Sequence, residues 1–364
     1  MPSSISSSSD RLPRGKWVLS WSAALVIVAL VAGSWETLLR VRGLGIASVD
    51  DTAQLWATER ERAATLGTNA MILVGASRMQ MDVDLATLRQ YTTKTPVQLA
   101  ISAAPFMPVL ESLADDDRVV GDVIVSFTMN DFLMPTRDSV SEQWVSAYTR
   151  LRASRTLLLY QRLEDTLRGA VGSVLLSVGS GARPQQLLFG SKVSYVRTLP
   201  DRSRHADYAI VDREAAYRHR IDVYLDGQAP TFRTVPDLEA RLNALEAMVR
   251  KIQDRGGRVV LVRFPTTKRI WEMDQILYPR AVYWDRIVAR TSARTVHFSE
   301  HAALSAFDLP DGVHLDYRDA PAFTQALAPL ILESLAPGPR HGAAEEAEPA
   351  PSSARSDIVG HEAP

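Results

Sequence analysis

Hydrophobic positions fall into two regimes along this chain. Between Trp17 and Trp35 the run WVLSWSAALVIVALVAGSW carries no charge, and as a helix rising ~1.5 Å per residue it is long enough to cross a hydrocarbon core. Tryptophans at both ends suit the two polar interfaces. Arg11, Arg14 and Lys16 ahead of the run favour a cytoplasmic N-terminus by the positive-inside bias, against a weaker vote from Arg40 and Arg42 beyond it. A cleaved signal peptide fits less well, because the run exceeds the usual apolar length of roughly 7–15 residues and no convincing small-x-small site precedes Glu36. The pattern predicts a cytoplasmic tail over 1–16, a transmembrane helix over 17–39 and a membrane-proximal linker or helix over 40–67. The body then lies outside the cytoplasm.

Beyond residue 68 short apolar runs alternate with amphipathic stretches. MILVG (71–75), VQLAI (97–101), DVIVSF (122–127), RVVLVRF (258–264) and TVHF (295–298) are brief and bounded by turn or polar residues, as strands buried on both faces are. DLATLRQY, PVLESLADD, DLEARLNALEAMVRKIQDR, AVYWDRIVARTS and DAPAFTQALAPLILESL have helical spacing, and Gly256-Gly257 supplies a stop after the third of them. The alternation predicts an α/β fold over 68–336: a doubly wound, mostly parallel five-stranded sheet with helices on both faces. Function in such sheets sits at the carboxyl ends of the strands.

One interruption, about 133–236, separates the third and fourth runs. It holds a helix-like SEQWVSAYTRLRASRTLLLYQRLEDTL, an apolar AVGSVLLSVGSG too short to span a membrane, and a polar section through Tyr195, Tyr208 and Tyr217. An insertion of that size is expected to form a cap over the active face. The first ten residues and those from 337 to 364 are rich in Ser, Pro, Ala and Glu without apolar periodicity, so they are expected to be disordered.

Composition narrows the chemistry. The 364 residues include 41 Lys+Arg against 42 Asp+Glu, a net charge of −1 that argues against a nucleic-acid partner. There is no cysteine, which removes disulfides, Cys-ligated metals and a thiol nucleophile. No P-loop or G-x-G-x-x-G follows a strand, and no cofactor is expected. His297-Phe298-Ser299-Glu300-His301 matches an inverted zinc-peptidase pattern. His297 reads as the end of a strand, however, and Ser299 as the cap of a new turn, so the imidazoles are expected to point apart.

Four places carry chemistry at strand ends. Ser77 follows the first strand in Gly75-Ala76-Ser77-Arg78, which puts its hydroxyl at the carboxyl edge of the sheet near backbone N–H groups able to bind an oxyanion. Pro310-Asp311-Gly312-Val313-His314 places a carboxylate three residues before an imidazole in a glycine-containing turn. The acid can then orient the base, and the base can take the serine proton. Asn130, in Thr128-Met129-Asn130-Asp131 after the third strand, can donate its side-chain amide to the same oxyanion. Arg78 beside Ser77 can orient a substrate, and Arg263, Lys268 and Arg269 read as surface cations, with a cationic rim for an anionic saccharide or lipid headgroup as the alternative.

The ordered set of Gly75-Ala76-Ser77-Arg78, Ile101-Ser102-Ala103-Ala104, Thr128-Met129-Asn130-Asp131 and Pro310-Asp311-Gly312-Val313-His314-Leu315 resembles the SGNH/GDSL-type serine hydrolase superfamily. It looks most like its membrane-anchored branch, associated with envelope-polysaccharide O-acetylation and teichoic-acid D-alanylation. The resemblance implies a flavodoxin-like SGNH fold with Ser77 as nucleophile, His314 as base, Asp311 as its orienting acid and Asn130 as an oxyanion donor. It implies that Ala103 or Ala104 stands at the second motif's oxyanion glycine and Thr128 at the third motif's glycine. The expected function is an extracytoplasmic, membrane-anchored esterase or O-acyltransferase acting on envelope carbohydrate or a lipid-linked glycan through an acyl-Ser77. The alternative is a catalytically inactive scaffold of the same fold beside a multi-pass membrane acyltransferase.

Overall fold

The computed structural model describes residues 16–41, 48–172, 175–176, 194–227 and 238–336. The two ends expected to be disordered, and most of the apolar AVGSVLLSVGSG stretch, lie outside the described residues.

The five apolar runs each overlap a strand of one sheet: β1 (Ala70–Val74), β2 (Thr95–Gln98), β3 (Asp122–Ser126), β6 (Arg258–Arg263) and β7 (Arg294–His297). Their order is β2-β1-β3-β6-β7 and every pairing is parallel. The period of two along a strand sorts side chains to opposite faces. Ala70, Ile72, Val74, Val123, Val125, Val259 and Leu261 join one buried cluster, and Met71, Leu73, Ile124, Val260 and Val262 join the other. Helices Ala53–Leu66, Met107–Ala114 and Leu238–Asp254 cover the first face, and Leu85–Tyr91 and Ala320–Leu335 cover the second. The fold is therefore α/β, with a parallel sheet wound on both faces. Helix Leu238–Asp254 ends as the double glycine requires: Gly256 takes φ 90°, and the Gly257 N–H returns to Ile252 O at 3.1 Å.

β2 is an edge strand, and backbone carbonyls at and just beyond its end are occupied by side chains from outside the sheet. Trp56 Nε1 donates to Leu99 O (2.9 Å), while the Arg202 guanidinium donates to Gln98 O (2.7 Å) and Ala100 O (3.0 Å) and clasps Asp51 through Nε (2.7 Å) and Nη2 (3.1 Å). Acceptors occupied in this way are withdrawn from pairing with another strand at this end of the edge.

The long insertion divides in two. Its helix-like part is not continuous: Val140–Arg152 and Arg155–Gly172 are separate helices, with Ala153 and Ser154 between them. The first packs against Ala53–Leu66, burying Tyr148 in the same core as Trp56. The second part starts with the antiparallel hairpin β4 (Val196–Thr198) and β5 (Arg204–Ala206) and runs into helix Arg213–Gly227. This part covers the carboxyl end of the sheet. Tyr208 N donates to Asp316 (2.8 Å), Tyr317 N to Ala206 O (3.0 Å) and Arg269 N to the Tyr217 hydroxyl (3.0 Å).

At the N-terminus, helix Trp17–Val41 is exposed along its apolar length, with only Glu36 and Leu39 buried. Among the described residues it is the one helix long and apolar enough to cross a membrane.

Candidate active site

The strand order reverses between β1 and β3, with β2 on one side and β6 on the other, and the crevice outside those two carboxyl ends is where an open α/β sheet binds ligands. β1 ends at Val74, and the chain turns through Gly75 at φ 145°. A Cβ on Gly75 would lie 2.7 Å from Ser126 Cβ, so only glycine lets the chain pass this close to the end of β3. Helix Ser77–Met81 starts at once, and Ser77 stands at its first position over the crevice.

The base arrives from a loop folded by its own acid. Asp311 Oδ1 accepts the backbone N–H groups of Val313 (3.1 Å) and His314 (2.8 Å), and Gly312 at φ 85° completes the turn. Asp311 Oδ2 accepts from His314 Nδ1 at 2.9 Å. With Nδ1–H committed to the carboxylate, Nε2 is the acceptor, and it lies 2.7 Å from Ser77 Oγ. These three side chains form one hydrogen-bonded chain, an arrangement able to relay a proton.

The electrostatics suit that relay. Burial pushes the His314 imidazole below its ordinary value, with Arg220 and Arg78 adding to the effect while Asp311 opposes it. Burial alone would raise Asp311, yet His314 and Arg220 hold it well below the usual carboxylate range. At neutral pH the site therefore holds a neutral imidazole beside an ionised carboxylate, the resting state a general base needs.

Arg220 is a member of this cluster that the sequence does not reveal. It comes from the insertion helix Arg213–Gly227, and its Nε and Nη2 donate to Asp311 Oδ2 at 3.2 and 3.1 Å. Nη2 also lies 3.4 Å from His314 Nδ1. Nothing in the run Arg218-His219-Arg220 marks it, since the contact spans 91 residues of chain. Removing a cation raises the pKa of a neighbouring imidazole. Arg220→Ala is therefore expected to shift the acid limb of the kcat/KM pH profile upward, measured on a chromogenic ester.

Asp82 supports the same loop from below. Fully buried, it accepts Leu315 N at 3.0 Å through Oδ1. Burial raises its carboxyl well above the ordinary range, aided by Asp311 and opposed by the Leu315 N–H and Arg78. A carboxyl whose pKa rises on folding contributes stability at low pH and loses it as the pH climbs through the raised value. Asp82→Asn keeps the acceptor without the titration. The variant is expected to gain stability over wild type at neutral pH, with the difference vanishing as the pH falls towards 3.8, as read by urea unfolding.

A pocket of about 300 Å³ opens beside the relay. Ser77, Arg78, Ala103, Asn130, Arg220 and His314 all line it, so the structure brings every site residue expected from sequence to one crevice except Asp311, which stands behind His314. The pair Ala103 and Ala104 is now distinguished. Ala104 is buried in the core, whereas Ala103 faces the pocket at φ 55°, a left-handed conformation natural to glycine and strained for alanine. Thr128 is the N-cap of helix Met129–Leu133 and accepts Asp131 N at 3.0 Å. Asn130 Oδ1 is buried without a hydrogen-bond partner, and so is Nη1 of Arg78.

Arg263 corrects the expectation of a surface cation. It is buried, lines the pocket and is paired with Asp274. Its position explains the difference, because it is the last residue of β6, a central strand whose end opens on the crevice. Lys268 and Arg269 instead meet Tyr217, the former stacking its ammonium 4.9 Å from the ring centre. His297 is the final residue of β7; its Nδ1 accepts Ser299 N at 3.2 Å, and its ring packs on Trp284.

No protein-family model matches the chain, and no curated protein matches it. Solved structures do align with it. The crystal structure of TesA covers 73% of this chain and 99% of its own, at 12% identity and a TM-score of 0.35.

Proposed function

We propose that this protein is a serine esterase or O-acyltransferase that works through an acyl-Ser77 intermediate. The observation that carries the reading is the relay of Ser77, His314 and Asp311, linked at 2.7 and 2.9 Å at the carboxyl edge of a parallel sheet.

In the proposed cycle His314 Nε2 takes the Ser77 proton as Oγ attacks an ester carbonyl. Asp311 stabilises the imidazolium that forms. The Asn130 amide and the backbone N–H groups of Ser77 and Ala103 receive the oxyanion. His314 then returns its proton to the leaving alkoxide. A second hydroxyl, from water or a sugar, repeats these steps on the acyl-enzyme, and Arg78 orients the incoming group. Whether hydrolysis or transfer results depends on how well the pocket holds an acceptor and excludes water.

The location is part of the same proposal. A helix able to cross a membrane at Trp17–Val41 and the basic residues before it favour an N-terminus in the cytoplasm and a body outside it. The anchored body would act on envelope polysaccharide or a lipid-linked glycan, alone or beside a multi-pass acyltransferase.

The test is labelling with a fluorophosphonate serine probe, together with acyl release from chromogenic esters and acetylated oligosaccharides. The expected result is labelling and acyl release by wild type and neither by Ser77→Ala. A wild type that is unlabelled and inactive on both substrates would replace this reading with the non-catalytic scaffold.

A further inference from the structure

The helix Arg155–Gly172 wears its apolar side outward. At ~100° per residue, Leu159, Tyr160, Leu163, Leu167 and Val171 fall within an arc of about 120°, and each is between 41% and 66% exposed. A helix on a water-facing surface normally turns its charged side out and its apolar stripe in. A continuous outward stripe of large residues instead marks a contact with something apolar.

The place where this helix ends indicates what that is. Just beyond it the Leu176 N–H donates to Glu36 Oε1 at 2.8 Å. Glu36 is the first charged residue after the uncharged run Trp17–Trp35, and Arg40 pairs with the same carboxylate at 3.0 Å. The outward stripe and the exposed apolar helix thus converge where the latter regains charge. If the apolar helix is in a bilayer, this junction is the headgroup level. Tyr160, an apolar ring with a polar tip, is suited to that depth.

We propose that Arg155–Gly172 lies in the plane of the membrane interface, with its stripe of Leu159, Tyr160, Leu163, Leu167 and Val171 seated among lipid acyl chains as a second membrane contact. The proposal rests on the membrane reading of Trp17–Val41. An in-plane helix of this kind adds to the hold of a single span and removes the body's freedom to rotate about it. The crevice is then held at a fixed height and orientation relative to the bilayer.

Because the chain has no cysteine, single nitroxide labels can be placed without background. Leu163→Cys and Leu167→Cys report the stripe, and Arg150→Cys, exposed on the neighbouring helix, reports water. The full chain is reconstituted in vesicles of phosphatidylcholine and phosphatidylglycerol, and label collisions with oxygen and with a water-soluble nickel chelate are compared. The expected result is an oxygen-to-nickel ratio several-fold higher at 163 and 167 than at 150. Equal ratios at all three positions would overturn the proposal. So would labels at 163 and 167 shielded from both reagents, which would mean cover by another part of the chain or, if dilution with unlabelled protein releases them, by a second copy. Failure of the protein to float with the vesicles would overturn it by removing the anchor. Fluorophosphonate labelling of the same samples tests the serine relay separately, so the two readings can fail independently.

Discussion

Ser77→Ala is expected to reduce ester turnover by about 10³–10⁶-fold and to abolish probe labelling, while leaving the thermal transition unchanged. His314→Ala should be about as severe, and the double variant no worse than either, because members of a relay act as a unit. The structure separates two substitutions of Asp311. Asp311→Ala removes the acceptor of the Val313 and His314 N–H groups as well as the carboxylate, and it strands Arg220 next to the imidazole. It should therefore disorder the loop and lower the transition temperature. Asp311→Asn retains an Oδ1 acceptor and so the turn, but its amide would face the nitrogen that now donates. Activity should fall with little loss of stability. Paired measurement of turnover and melting on the two variants separates the role of the acid in folding the loop from its role in setting the tautomer.

Arg202→Met is expected to cost roughly 3–5 kcal/mol of folding stability, the range for removing one partner of a buried ion pair. Arg202 is fully buried, its fork divided among both oxygens of Asp51 and the carbonyls of Gln98 and Ala100. Without it Asp51 loses its buried counter-ion, keeping only the Gln80 amide, and two edge carbonyls lose their donor. At roughly 2–4 °C per kcal/mol for a domain of this size, calorimetry should show a fall on the order of ten degrees. Arg202→Lys should recover only part of it, since a point ammonium cannot serve three diverging acceptors.

The strands and helices of the sheet were legible because burial on both faces leaves short unbroken apolar runs, and the covering helices keep their spacing. The three relay residues were legible for a different reason: Ser77 and the Asp311–His314 turn are local motifs whose chemistry depends on neighbours in sequence. Arg220, Arg202 and Asp82 were not, because each acts on backbone or side chains tens to hundreds of residues away and an isolated arginine or aspartate carries no sign of its partner. Arg263 was misread as surface because an arginine ending a strand looks like a boundary, whereas in a central strand it stands at the crevice floor. The alanine pair at 103 and 104 could not be resolved, since the decisive quantity is a backbone angle. The single helical stretch expected over 141–167 proved to be two helices because Ser154 can begin a new one; its Oγ accepts Leu157 N at 3.4 Å.

The distance in sequence between Ser77 and His314 bears on how the protein comes into being. Ser77 and His314 stand 237 residues apart, and at a synthesis rate of about 5–20 residues per second the serine leaves the ribosome roughly ten to fifty seconds before its partner. During that interval β1, β2 and β3, all within residues 70–126, can pair with one another, but the serine has no base and is inert. Pairing of β3 with β6 must then close a loop of more than a hundred residues, the slow kind of step in a parallel sheet. Catalytic competence should thus appear last in folding and disappear first in unfolding, once Ala320–Leu335 detaches from β6 and β7. Activity lost ahead of the main calorimetric transition would be its signature.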